Sequence, residues 1–165
     1  MNSSAGATKD ATLNGLRDAR KSILNAVAAL SEEERESVFL GSWPVMDLLA
    51  HLVGWDLANL EGIKAVLAGR VPEFYAHHDR DWQTFNAALV ANYRANSTAE
   101  LVALARDSQR QLIDFAATVP PESFNKDFGV RFRGYKVTVR RLLEAETKDE
   151  QAHYRQMIDF FGREK

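Results

Sequence analysis

Apolar residues recur at intervals of three and four along most of the chain, the spacing that aligns side chains on one face of a helix. Leu13, Leu16, Ile23 and Val27 show this register in the first segment. The same pattern predicts helices over about 10–30, 45–67, 79–95, 97–119 and 138–161. The chain is therefore predicted to be all-α, an up-and-down helical bundle with short additional helical turns.

Capping residues mark where two of these segments begin. Ser31 and Glu34 have the spacing of a capping box, which predicts a short helical turn after the first helix. Ser97 and Glu100 repeat this spacing before the fourth helix. The link at Asn96 is so short that the third and fourth helices either pack as an antiparallel pair or continue as one kinked helix.

One domain is expected, because a chain of 165 residues has the size of a single core. Residues 1–9 are small and polar at their start and are predicted to be a disordered tail, so that the domain spans 10–165. The connection over 122–137 contains an alternating stretch at 130–133, which is too short and isolated to predict a sheet.

The composition excludes several classes of function. The formal net charge is −2, without the basic excess that is typical of nucleic-acid binders. The absence of cysteine excludes disulfides, thiolate catalysis and cysteine-ligated zinc. The sequence has neither the basic and apolar pattern of a signal peptide nor an apolar stretch of membrane-spanning length. A cytoplasmic protein that binds neither nucleic acid nor membrane is therefore expected.

Polar residues on the inner face of the last helix are the most informative feature. Glu146, Asp149 and His153 share a narrow arc with apolar neighbours, and Asp149 and His153 stand four residues apart on one face. Such groups need partners when they point inward. A buried hydrogen-bond network, a solvent-facing stretch of helix and a pair of metal ligands are all consistent with this pattern.

The second predicted helix supplies further polar candidates. His51 lies at the edge of its apolar arc, about 100° from the centre, where a lone histidine is usually at the surface or half buried. Asp56 and Asn59 interrupt the arc, and Asn86 interrupts an aromatic stripe on the third helix. Each of these polar residues needs a buried partner. Together with the last helix, His51 could complete a three-ligand metal site.

The segment Gly41-Ser-Trp-Pro-Val-Met-Asp-Leu-Leu-Ala-His-Leu-Val-Gly-Trp55 resembles the helix-two signature of the DinB-like superfamily. This resemblance implies a four-helix bundle, often with a divalent metal held by one histidine on helix two and a His-x-x-x-His pair on the last helix. His51 matches the first ligand and His153 the last, whereas Asp149 replaces the middle histidine. Aspartate also ligates such metals.

The resemblance is greatest to the ClbS/DfsB branch. Asp81-Trp-Gln-Thr-Phe-Asn86 is similar to the Trp-x-x-x-Asn element of that branch, and the spacing from Glu146 to His153 is similar to its ending. ClbS-like proteins protect the producing bacterium from a genotoxic cyclopropane metabolite. The resemblance therefore implies a hydrolase or detoxifying protein that acts on an electrophilic small molecule.

These observations give a definite set of expected site residues. A pocket is expected between helices two and four of the bundle, the helices that carry His51 and His153. The expected catalytic residues are His51, Glu146 and His153; the expected substrate-binding residues are Trp43, Trp55, Asp56 and Asn86; and the expected ligands of zinc or nickel are His51, Asp149 and His153.

Other functions stay open at this stage. One alternative is a protein that binds a small molecule without turning it over. Another is a stress-related helical bundle that acts as a homodimer, since many DinB-like proteins dimerise. A third, implied by the resemblance, is a metal-dependent enzyme of the thiol-transferase type.

Overall fold

The computed structural model describes residues 2–77 and 82–162 and is built around four long helices. These are α1 (Asn2–Ala29), α3 (Val45–Leu67), α5 (Thr98–Thr118) and α7 (Val139–Phe161). Helix α1 packs on α7, α7 on α3, α3 on α5 and α5 on α1, so that the contacts form a closed ring. The prediction of an all-α fold is confirmed.

Short elements connect the long helices. They are α2 (Glu32–Glu36), a single 3-10 turn (Glu73–Ala76), α4 (Gln83–Asn92), α6 (Pro121–Phe124), β1 (Arg131–Phe132) and β2 (Tyr135–Lys136). Helix α4 packs against α3 and is separated from α5 by a non-helical link, so the alternative of one kinked helix is wrong. The predicted start of this helix at Asp79 lies outside the described residues, and α4 begins at Gln83.

The hairpin of β1 and β2 was not expected from the sequence. Arg131 pairs with Lys136 and Phe132 with Tyr135 in antiparallel register. Arg133 and Gly134 both have positive φ, of 49° and 81°, as the tight hairpin turns with a left-handed centre require. Two residues per strand are too few for alternation in the sequence to reveal them.

Helix ends follow the predicted capping chemistry closely. Ser31 and Glu34 form the reciprocal capping box of α2. The Ser97 hydroxyl accepts from the Glu100 amide at the start of α5, while the Glu100 carboxylate accepts from the Asn96 amide instead of that of Ser97.

The expected N-terminal tail is instead the beginning of α1. The helix starts at Asn2, and the ammonium of Lys9 donates to the carbonyls of Ala117 and Val119 at 2.5 and 2.6 Å. Carbonyls at a helix C-terminus lack intrahelical donors, so this lysine satisfies the end of α5 and anchors the start of α1. A contact across 110 residues of sequence leaves no local signal.

A buried polar layer divides the apolar core into two parts. One cluster includes Leu16, Ile63, Leu112 and Leu143, and the other includes Ile23, Leu48, Leu101 and Met157. Between them lie the buried polar residues Arg20, Asp56, Ser108, Glu146 and Glu150. None of the helices in the described ranges has the length and apolar character of a membrane span.

Candidate active site

A cavity of about 390 Å³ opens beside α3 and α7. Its lining combines polar residues from these two helices with aromatic residues from the 3-10 turn and the start of α4. The lining residues are Trp43, His51, Trp55, Asn59, Phe74, Tyr75, Trp82, Asn86, Leu142, Ala145, Glu146, Asp149 and His153.

His51, Asp149 and His153 form a compact triangle in this lining, called the polar trio below. The two Nε2 atoms lie 3.3 Å apart, and the Asp149 Oδ2 atom lies 3.3 Å from His51 Nε2 and 3.2 Å from His153 Nε2. Both imidazoles are buried, whereas the Asp149 side chain is 48 % exposed. All three donor atoms can therefore bind one ion, or share protons among themselves.

Burial and neighbouring charges shift the pKa values of the two histidines in opposite directions. Burial lowers the pKa of His51. Burial would also lower the pKa of His153, but its hydrogen bond to Asp149 and the charge of that carboxylate raise it instead. Hydrogen bonds from both histidines outweigh burial and hold the pKa of Asp149 well below its usual range. Without a metal, a proton is therefore held more readily by His153 than by His51, beside an ionised Asp149.

The outer nitrogens of the two imidazoles also differ. His153 Nδ1 lies 2.8 Å from Gln156 Oε1, so it carries a proton and donates it. His51 Nδ1 is buried and has no hydrogen-bond partner in the part of the chain that the structure describes. The ring orientation of His153 is therefore fixed by a hydrogen bond, and that of His51 by packing against Trp43, whose ring centroid is 5.0 Å away.

Glu146 lies one helical turn before Asp149 in the cavity wall. Its Oε2 atom accepts a hydrogen bond of 2.9 Å from Asn59 Nδ2. Its Oε1 atom is buried and has no partner among the described residues. Burial and the nearby carboxylates of Glu150, Asp56 and Asp149 raise the pKa of Glu146 well above its usual value.

Arg20 of α1 lies in the polar layer behind the cavity. It makes five hydrogen bonds, two to the Glu150 carboxylate, two to Asp56 and one to the Ala105 carbonyl, with distances of 2.6–3.0 Å. Ser108 also donates to Asp56 at 2.5 Å. Arg20 is 2 % exposed and both carboxylates are fully buried. Although the carboxylates of Asp56, Glu146 and Glu150 approach closely enough to hold an ion, the guanidinium already occupies two of them.

Aromatic side chains form the opposite wall. The Trp55 indole donates to Asn86 Oδ1 at 2.9 Å, and its ring centroid lies 5.3 Å from Phe74 and 5.7 Å from Trp82. Together with Trp43, all three tryptophans of the sequence line the cavity. This wall suits a ligand with a flat or apolar part.

Residues 8–157 match the sequence model of the DinB superfamily. The chain belongs to this superfamily. Among curated protein sequences, none matches the chain significantly.

Two solved structures share the fold of this DinB protein. The structure titled sibling lethal factor precursor, DfsB, has a TM-score of 0.76 at 16% identity, covering 93% of this chain and 95% of its own. An uncharacterised protein from Escherichia coli UTI89 has a TM-score of 0.71 at 14% identity, covering 92% and 91%. At these identities the likeness shows a shared fold.

The structure of this DinB protein brings together most of the residues expected from the sequence. The polar trio, Glu146, Trp43, Trp55 and Asn86 all line the one cavity. His51 is 3 % exposed, contrary to the expectation for an edge position, because α3 is covered by α4, α5 and α7. Asp56, expected to contact substrate, lies outside the cavity lining and binds Arg20 instead.

Several residues around the site were not identified from the sequence. The burial of Arg20 could have been suspected from the sequence, since this residue interrupts the apolar stripe of α1 between Leu16 and Ile23. The sequence gives no indication that Phe74 and Tyr75 reach the cavity, because the segment that contains them has no helical or strand periodicity. Trp82, within the Trp-x-x-x-Asn element, lines the cavity from a left-handed conformation with φ 66° at the start of α4.

Proposed function

We propose that this DinB protein is a small-molecule hydrolase of the detoxifying kind, with the cavity as its active site. The polar trio in the cavity wall is the observation that carries the proposal. Three donor atoms within 3.3 Å of one another at a cavity lined by aromatic rings can activate a water beside a bound ligand. An electrophilic metabolite as the substrate is what the resemblance of the sequence to ClbS-like proteins implies.

The polar trio fits a divalent metal ion. Bonds of about 2.0–2.2 Å from zinc to nitrogen and oxygen place the donors of a tetrahedral site about 3.3–3.5 Å apart. The three separations of 3.2–3.3 Å agree with that spacing. Three protein ligands leave one coordination position for water or substrate, as in catalytic zinc sites. Gln156 supplies the outer hydrogen bond that metal-binding histidines usually make.

A bound zinc or nickel ion would acidify a water molecule and polarise an acceptor oxygen of the substrate. The protein residues have separate tasks. His51, Asp149 and His153 would hold the ion, while the tryptophans pack against the ligand. Asn59 holds the Glu146 carboxyl at the wall of the same cavity.

A metal-free acid–base site is the second candidate, and two observations favour it. The ring nitrogens of both histidines lie within hydrogen-bond reach of Asp149, so the three groups can hold one another without an ion. His51 Nδ1 has no outer partner in the described chain, unlike the usual ligating histidine. In this case His51, as the tautomer with its proton on Nδ1, would accept the proton of a water at Nε2, while His153 donates to Asp149 and stabilises the hydroxide that develops.

A thermal shift experiment with metal separates the two candidates. Protein made without a histidine tag is stripped with chelator, and its Tm is followed as zinc or nickel is added. In the metal case, ion at 100 times its Kd stabilises the fold by about 2.7 kcal/mol, and His153→Ala abolishes the response. His77→Ala, which removes a histidine outside the polar trio, retains it. A flat titration of the stripped parent would reject the metal and leave the acid–base site or a purely structural network.

Turnover is tested by isotope incorporation. The protein is incubated with a panel of esters, epoxides and strained-ring electrophiles in ¹⁸O-labelled water, and the products are analysed by mass spectrometry. Hydrolysis at the cavity predicts labelled product that is lost in His51→Ala. Electrophiles that bind tightly but remain unlabelled would contradict hydrolysis and support sequestration without chemistry.

A further inference from the structure

The Glu146 carboxyl in the cavity wall has one hydrogen-bonded oxygen and one oxygen without a partner among the described residues. The residue is 5 % exposed, and its Oε2 atom accepts from Asn59. Its Oε1 atom is shielded from solvent and has no hydrogen-bond partner in the described ranges. Leaving a buried polar atom without a partner costs about 1–3 kcal/mol, so this arrangement needs an explanation.

Charge balance in the polar layer indicates which form of Glu146 is present. Oxygen atoms of Asp56, Glu146 and Glu150 lie within 4.8 Å of one another. Arg20 directs its five hydrogen bonds to Asp56, Glu150 and a backbone carbonyl, and among the described side chains no cation pairs with Glu146. A third negative charge in this buried group would be uncompensated, so Glu146 retains its proton.

Groups from three helices act on this carboxyl. They are Arg20 on α1, Asp56 on α3, and Asp149 and Glu150 on α7. Three of the four are acids, and the single cation is already shared by two of them. The raised pKa of Glu146 is consistent with this count.

The hydrogen bond from Asn59 also locates the proton. The carbonyl oxygen of a carboxylic acid is its better acceptor and the amide donates to Oε2, so we place the proton on Oε1. Glu146 therefore presents a neutral O–H donor without an acceptor in a residue that lines the cavity. The missing acceptor is then expected to come from whatever occupies the cavity.

We infer that the cavity takes an uncharged, unsaturated small molecule whose carbonyl, or an equivalent acceptor oxygen, receives a hydrogen bond from neutral Glu146. The inference rests on the proposed function only in using the same cavity. The flat part of the ligand packs on the tryptophans. An anionic ligand is disfavoured in the metal-free protein, because two carboxylates share one guanidinium in the layer behind the wall.

Infrared spectroscopy tests the protonation state directly. The difference spectrum of the parent minus Glu146→Gln at pH 7 is expected to contain the carbonyl band of a protonated carboxylic acid. Glu144→Gln is the matched control on the same helix, since Glu144 is half exposed and paired with Arg140. Its difference spectrum should contain carboxylate bands only. Carboxylate bands alone in the Glu146 difference would overturn the inference.

Ligand selectivity tests the role of that proton. The three indole N–H signals are followed by NMR in metal-stripped protein as acetophenone, ethylbenzene or benzoate is added. Acetophenone is expected to shift the Trp55 signal at a concentration about 5- to 12-fold lower than the other two, since a hydrogen bond to a well-placed acceptor contributes about 1–1.5 kcal/mol. Equal responses to acetophenone and ethylbenzene, or tighter binding of benzoate, would overturn the inference.

Two variants connect this selectivity to Glu146. Glu146→Gln keeps a neutral donor and should retain the preference for acetophenone, whereas Glu146→Leu should abolish it. If the leucine variant does not fold, the parent and the glutamine variant still decide the question, because a glutamine variant without the preference contradicts the inference. These readouts do not involve metal, so a flat metal titration would reject the metal proposal while leaving this result intact.

Discussion

Replacing Arg20 by methionine is predicted to destabilise the fold severely, because it removes the cation between two fully buried carboxylates. Arg20 contacts Asp56 and Glu150 at 2.6–3.0 Å, and all three side chains are at most 2 % exposed. Removing one partner from a buried ion pair costs about 3–5 kcal/mol. A domain of this kind has a total stability of about 5–15 kcal/mol, so the loss is a large fraction of it.

Thermal and urea unfolding followed by circular dichroism measure this loss. A cost of about 3–5 kcal/mol corresponds to a decrease in Tm of about 6–20 °C for a chain of this length. Arg17→Met is the matched control, since Arg17 lies less than one helical turn earlier, is exposed and bonds only to Asn14 among the described residues. That control should change the stability by no more than about 0.5 kcal/mol.

A rescue experiment tests the stated cause. Adding Asp56→Asn and Glu150→Gln to Arg20→Met removes the two stranded charges and should recover most of the lost free energy. The deficit of the single variant should also shrink as the pH is lowered, because carboxylates without their cation take up protons. A loss below about 1 kcal/mol for Arg20→Met, or a triple variant no more stable than the single one, would refute the reasoning.

Two further predictions concern helix packing and pH. Gly54→Ala should lower the free energy of unfolding by about 1–3 kcal/mol, measured in urea, because the added Cβ would lie 2.8 Å from Leu89 Cβ. Gly15→Ala is the control and should raise that free energy by about 0.5–1 kcal/mol, because its added Cβ meets nothing closer than 3.7 Å. In metal-stripped protein, the raised pKa of His153 means that its pairing with Asp149 stabilises the fold below about pH 6.5 and is lost as the pH rises through that raised pKa. The difference in unfolding free energy between the parent and His153→Gln should therefore narrow as the pH rises above about 6.5, and a difference that does not change with pH would contradict the assignment.

The parts of the site that the sequence predicts are those encoded within one helix. Asp149 and His153 are four residues apart, so the helix alone places them on one face, and the structure finds them 3.2 Å apart. His51 required the resemblance to the DinB-like superfamily, since its position at the edge of an apolar arc argues for exposure. An arc predicts burial correctly only when one side of a helix is covered, and α3 has neighbours on several sides.

The parts that the sequence does not predict depend on contacts between distant segments. Lys9 donates hydrogen bonds to carbonyls more than 100 positions away in the sequence. Through these bonds the start of α1 satisfies the end of α5. Tyr75 reaches the cavity from a loop with no period and stacks on Phe132 of the hairpin at 4.0 Å. Neither position differs, in its local sequence, from an ordinary surface residue.

Arg20 has two roles, since it stabilises the buried polar layer and also determines the charge of the acids near the cavity. By pairing with Asp56 and Glu150 it leaves Glu146 as the carboxyl without a cation, and hence as the one that retains a proton. The polar layer therefore cannot be replaced by apolar residues without changing the acid at the cavity wall. A more stable apolar layer is physically accessible. The presence of a buried arginine and three acids in this layer is thus better explained by the site than by the stability of the fold.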